Sequence, residues 1–215
     1  MVKRSMNLYA GFGREKQARG ARSIWQFETR RNPGFPMLEN ESLRQAIDES
    51  VRIVPYDPSW PQKFEMEKQR LLALFPSVFL GLEHIGSTAV PTLAAKRIID
   101  VMGAVRTMAQ ADELVPRLCA NGYATSAEFN ATLVDRRWLM RHAEGHRTHH
   151  LHLVAFESKE WQRHRAFRDA LRADSKIRSR YADLKSSLAA SLGSDREAYT
   201  AAKSVFIAKI LRDLA

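Results

Sequence analysis

His84-Ile85-Gly86-Ser87-Thr88-Ala89-Val90-Pro91 and, shortly after it, Ile98-Ile99-Asp100-Val101 are the stretches on which the fold turns. The residues from Val78 to Ile85 read as a strand, and it runs into Gly-Ser-Thr, a tight loop. Residues 97–105 form an almost continuous apolar run, the pattern of an interior strand. Glycine permits a close backbone approach, and Ser87, Thr88 and free loop amides can hydrogen-bond phosphate oxygens. A carboxylate in the middle of a buried strand is costly unless it is paired or holds a cation. The two features together suit a phosphorylated ligand with a divalent ion, because Mg2+ is held by one or two carboxylates plus phosphate and water oxygens. Residue chemistry alone leaves a second reading open, a common turn with Asp100 paired to Arg97, Arg147 or a backbone amide.

Working outward, Val51-Arg52-Ile53-Val54 alternates like a short strand before the turn signals Pro55 and Asp57-Pro58. Phe64, Leu71, Leu72 and Phe75 recur at near-helical spacing, so a helix is expected over 61–74, closed by Pro76. Thr107 is a candidate cap for a helix reaching Asn121, with Pro116 set to kink it and Gly122 to end it. Residues 123–128, 133–140 and 149–156 are further strand candidates. The last sixty residues show helical stripes with Ser158, Asp174 and Ser194 as candidate caps. The expected class is α+β, a mixed sheet with flanking helices and a helical C-terminal third.

The chain has 215 residues with 45% hydrophobic and 27% charged content, an ordinary globular composition. No stretch approaches the length of a membrane-spanning helix, and no apolar segment follows the first basic residues as in a secretory signal. Cys119 is the single cysteine, which excludes an internal disulfide and a cysteine zinc site; it is expected as inert helix core in a reducing cytoplasm. The formal charge of +10 sits at the two ends, with +6 over residues 1–36 and +5 over 157–215. Without a concentrated basic stripe and interleaved aromatics, nucleic acid is not the expected partner. Residues 1–36 lack any sustained period and read as a disordered basic arm, continued by a linker to residue 50, with the ordered domain spanning 51–215. Met37 is a plausible alternative start.

Five of the seven histidines lie between residues 142 and 152. On a strand, His150 and His152 project to one face. Imidazoles suit Zn, Fe or Ni better than Mg, but a His-x-His pair needs a further ligand such as Asp100 or Glu128. The expectation is a polar sheet face whose histidines are hydrogen-bonded or touch substrate. Glu128 reads either as a distant carboxylate partner of Asp100 or as a solvated acid. Lys96, between the loop and Asp100, is a candidate phosphate contact, as are Arg147 and Arg168. Trp60 reads as a packing anchor.

These residues resemble the GrpB-like family of the nucleotidyltransferase superfamily. The matching motifs are Val54-Pro55-Tyr56-Asp57-Pro58-Ser59-Trp60-Pro61, the stretch His84–Pro91, Leu93-Ala94-Ala95-Lys96 and Ile98-Ile99-Asp100. They continue through Gly122-Tyr123 and His150-Leu151-His152-Leu153 to Phe167–Arg172, Tyr181–Lys185, and Tyr199 with Lys203, Phe206 and Ile207. The resemblance covers residues 51–215. It implies a nucleotidyltransferase-like fold in which Gly86, Ser87 and Thr88 meet a nucleotide or other phosphorylated small molecule and Asp100 holds Mg2+. The superfamily pattern is Gly-Ser followed by acid–apolar–acid on one strand, whose two carboxylates hold a metal pair for nucleotidyl transfer. Here twelve residues separate Ser87 from Asp100, and Met102 stands where the second acid belongs. Metal-dependent transfer, with Asp100 and Glu128 as catalytic acids, therefore stands beside a non-catalytic binding or assembly role, as in the domains fused to dephospho-CoA kinase. The family pattern also has Gly where this chain has Thr92, and Pro where it has Arg97. A positive φ at Thr92 would cost about 1 kcal/mol.

Overall fold

The computed structural model describes residues 37–214; for Met37–Asn40 and Glu197 it describes the backbone only. The arm expected over residues 1–36 lies outside the described residues. Elements follow in the order α1 (Met37–Asp48), α2 (Trp60–Leu74), β1 (Gly81–Ile85), a 3-10 turn (Ser87–Ala89), β2 (Ile99–Val105), α3 (Met108–Cys119), α4 (Ala127–Ala131), β3 (Arg137–Ala143), β4 (His146–Ala155), α5 (Lys159–Ala173), α6 (Ser175–Leu192) and α7 (Arg196–Asp213). Four strands form one mixed sheet in the order β1-β2-β4-β3. The β1–β2 and β3–β4 pairs are antiparallel, while β2 and β4 run parallel. A mixed sheet with flanking helices and a helical C-terminal stretch is the expected architecture.

Alternation along the strands sorts the sheet into two faces. Val101, Val105, Leu139, Leu151 and Leu153 form the main core with Trp60, Phe64, Leu71 and Phe75 of the α2 region and with Ala111, Leu114 and Leu118 of α3. Trp60 is buried edge-on to Tyr56, the packing anchor the sequence suggests. The opposite face carries Ile85, Met102, Ala104 and Val154 under Trp161 of α5. Val90 and Leu93, just beyond the 3-10 turn, pack with Leu171 and Tyr181, which fastens the loop to α5 and α6.

Caps set the helix starts. Thr107 accepts from the Gln110 amide, Ser158 from Trp161, and Asp174 from Lys176 and Ile177. The last cap is Asp195 rather than Ser194, accepting from the Ala198 amide. Pro116 sits inside α3 without ending it.

Four expectations are corrected. Order begins before Val51, because Leu43 and Ala46 of α1 are buried, Leu43 with Trp138 and Met140. Residues 51–54 make only the isolated bridge Val54–Ala95, so no strand forms there. Residues 123–128 likewise contribute one bridge, Ala124–Met140, before Ser126 caps α4 by accepting from the Phe129 amide. Cys119, at the last position of α3, is exposed.

Candidate metal centre and phosphate loop

β2 and β4 are neighbours in parallel register, with Asp100 opposite His150 and Met102 opposite His152. Asp100, His150 and His152 therefore rise from the same face of the sheet. His150 Nδ1 lies 3.1 Å from Asp100 Oδ1 and donates to it, and His152 Nε2 is 3.8 Å from the same oxygen. One ligand atom from each residue falls within 4.8 Å of the others, an arrangement able to hold a metal ion. The Asp100 side chain is 27% exposed and each imidazole 12%, so the carboxylate is the open side of the group.

Burial opposes charge on Asp100, but the contacts from His150 and His152 outweigh it and hold the carboxyl well below its usual range. Burial pushes His150 down to about 3 and His152 to about 4. An ionised carboxylate beside two neutral imidazoles is the protonation state that metal ligation requires. His150 Nε2 and His152 Nδ1 are buried without a hydrogen-bond partner among the described residues. Each such atom costs about 1–3 kcal/mol, so the cluster is not arranged for the greatest stability of the bare protein. Trp138 flanks His150 edge-on, and His164 of α5 lies against His152.

Gly86 brings the loop against this group. Its φ is +71°, and a Cβ built there would stand 2.3 Å from Asp100 Oδ2. The close backbone approach read from the sequence is thus made onto Asp100 itself. Ser87 reaches the Tyr181 hydroxyl. Thr88 is fully buried, with its hydroxyl bonded to His84 Nε2 at 3.0 Å and directed at the Ile98 carbonyl. It locks the loop to β1 and β2 and has no donor left for a ligand. Thr92 does adopt positive φ, at +68°.

Other candidates have different occupations. Arg147, buried under α1, donates to the carbonyls of Ala46 at 2.8 Å and Ile47 at 3.0 Å and so closes that helix. Arg168 bridges β1 and α5, bonded to Glu83 at 2.5 Å, to the His84 carbonyl and to Asp169. Glu128 lies exposed in the first turn of α4, accepting from Ser126 at 3.0 Å, and is not part of the Asp100 group. Lys96 is half-buried with its ammonium 5.6 Å from the Tyr199 ring centre. Met102, at the position of the superfamily's second acid, is fully buried among Ile85, Ala104, Val154 and Trp161. A groove of about 700 Å³ between residues 50–56 and α6 contains none of the triad.

The family profile described as GrpB protein matches residues 50–213. This chain belongs to the GrpB family. A crystal structure of conserved protein GrpB from Enterococcus faecalis is 37% identical and superposes with a TM-score of 0.67, covering 75% of this chain and 96% of that one. UPF0157 protein YqkA of Bacillus subtilis (strain 168) is 37% identical over 140 residues, which are 65% of this chain and 40% of the relative. The chain thus spans less than half the length of that relative. A dephospho-CoA kinase of Mycobacterium tuberculosis (strain ATCC 25618 / H37Rv) is 37% identical over 112 residues, 51% of this GrpB chain and 26% of the kinase. No helix among the described residues of this GrpB protein is long and apolar enough to cross a membrane.

Proposed function

We propose that this GrpB protein binds a divalent transition-metal ion through Asp100, His150 and His152 and, beside it, a nucleotide or other phosphorylated metabolite. The convergence of the three ligand atoms carries the reading. Two imidazoles and one carboxylate suit Zn2+, Fe2+, Mn2+ or Ni2+, whereas Mg2+ prefers an all-oxygen set, so the donor chemistry argues against the Mg2+ expected from the superfamily pattern. Three protein ligands leave coordination positions for a ligand oxygen. When bound, the ion supplies Lewis acidity toward such an oxygen. Hydrocarbon around Met102 closes the place of a second carboxylate, which favours binding, or chemistry at one ion, over two-metal nucleotidyl transfer.

The test is a thermal-shift and calorimetric titration of chelator-treated protein with Zn2+, Mn2+, Fe2+ and Mg2+, followed by a panel of nucleotides and coenzyme A precursors. At a hundredfold excess over the dissociation constant, a ligand adds about 2.7 kcal/mol, which raises Tm by roughly 5–10 °C at this size. The shift is expected with a transition ion, not with Mg2+, and is lost in Asp100→Asn and His150→Ala. Equal shifts in those variants, or none in the wild type, would overturn the metal site.

The similarity to a dephospho-CoA kinase favours a second reading, a non-catalytic binding domain. Under it, a coenzyme A precursor binds without turnover, which the same panel reads directly.

A further inference from the structure

Three lysines from separate segments crowd the approach to the phosphate loop. Lys203 of α7 has its ammonium 4.3 Å from the centre of the Tyr199 ring, the ring that Lys96 also faces. Lys185 of α6 is buried, donates to the Ala94 carbonyl two residues before Lys96, and lies 5.1 Å from the centre of the Tyr181 ring. Tyr181 in turn is the residue that Ser87 reaches. Two of the ammonium groups thus lie at the Tyr199 ring and the third at the Tyr181 ring beside Ser87. Among the described residues, no carboxylate forms an ion pair with any of the three, although the chain pairs its cations elsewhere, as in Arg168–Glu83 and Arg196–Glu49. The acid whose charge acts on all three is Asp100.

Holding one buried and two partly buried ammonium groups together with no carboxylate in an ion pair is costly, and aromatic faces offset only part of the cost. Burial together with the neighbouring Lys203 lowers Lys96 and Lys185 to about 7, and burial lowers Lys203 to about 8. A structural cluster would be relieved by one acidic residue. A site kept for an anion has to do without it, because that acid would repel the ligand.

We infer that Lys96, Lys185 and Lys203 form a cradle for the di- or triphosphate portion of a ligand whose far end reaches Ser87 and the Asp100 group. This deepens the reading of a phosphorylated ligand at this site and rests on it. Charge favours a polyphosphate over a monophosphate. Protonated beside a bound anion, the three ammonium groups and a divalent ion, less the Asp100 carboxylate, leave an excess of about four positive charges, close to the charge of an ionised triphosphate.

Inorganic tripolyphosphate, which carries no base or sugar, is the probe. Its affinity is measured calorimetrically on the full chain, with and without Zn2+, against pyrophosphate and orthophosphate. Wild type is expected to bind tripolyphosphate at least tenfold more tightly than orthophosphate. Lys96→Gln and Lys203→Gln should each weaken it tenfold or more while melting no lower than wild type without ligand. Lys203→Arg should retain it. Asp100→Asn should abolish the dependence on metal and leave the lysine-dependent part. Tripolyphosphate binding that is equal in wild type and both glutamine variants would overturn the cradle while leaving the metal centre standing. Absence of any tripolyphosphate binding would also overturn it, and loss of the metal-induced shift alone would count only against the metal centre.

Discussion

The backbone of Gly86 stands where any side chain would collide with the carboxylate of Asp100: an added Cβ would lie 2.3 Å from Oδ2 and 3.0 Å from Cβ and Cγ. The loop residue and the acid are thus fitted to each other as one unit, with Ile85 opposite Asp100 in the β1–β2 register. Gly86→Ala must move the carboxylate and also strain a backbone at φ +71°. The expected loss is about 1–3 kcal/mol of stability in chemical denaturation, together with loss of Zn2+ binding. Unchanged stability and metal affinity would show that the fit is loose.

Thr92 gives the opposite sign. Its φ of +68° is strained for a β-branched residue, and its side chain is exposed, so little packing is lost by removing it. Thr92→Gly should raise stability by about 0.5–1 kcal/mol, read from the midpoint of urea unfolding. A lower midpoint would mean that the hydroxyl or methyl does more than the backbone suffers.

Acid should weaken the fold through His84. Burial pushes this imidazole from 6.5 down to about 4, where it stacks on Phe64 and bonds Thr88. Between those two values the unfolded chain binds a proton that the native state refuses, so stability rises with pH. The contribution is full above about pH 6.5 and falls away toward pH 4. The amount is about 3 kcal/mol. His84→Gln should reduce the dependence of Tm on pH in that window, while His149, His150 and His152, also lowered by burial, keep the rest of it. An unchanged slope in the variant would refute the assignment.

Arg147 should behave as part of the frame. Arg147→Met removes the donors that close α1 at Ala46 and Ile47 and should cost about 1–3 kcal/mol, with faster amide exchange over residues 42–48. Zn2+ and tripolyphosphate affinities should stay within twofold of wild type. A tenfold loss of tripolyphosphate affinity would return Arg147 to the ligand site.

The sheet was legible where short-range patterns are strong. The apolar run around Asp100 and the alternation around His150 and His152 each mark a strand and a face without help from other parts of the chain. Pairing of those two faces was not legible, because no local pattern states that β2 and β4 are neighbours. The histidines consequently read as a polar sheet face with Asp100 or Glu128 open as a further ligand, and the structure brings Asp100 to them and not Glu128. The partners of Arg147 and Thr88 were not legible for the same reason. A donor looks available in sequence until its acceptor, Ala46 or Ile98, is found by folding. Lys185 and Lys203 sit among the helical stripes of the last sixty residues. They become a site only when α6 and α7 pack back toward Lys96 and the loop.

The parallel pairing of β2 with β4 also sets an order of events during synthesis. Antiparallel neighbours can close through a short turn, whereas Asp100 and His150 meet only after α3, α4 and β3 have been made and laid across the sheet. A ribosome that has delivered Asp100 has fifty residues still to add before His150 exists, and Lys203 comes later still. The proposed ion and anion would therefore find their complete seat only on a chain in which α6 and α7 have been made. Under the proposed reading, occupancy would separate a chain that carries α7 from shorter nascent fragments.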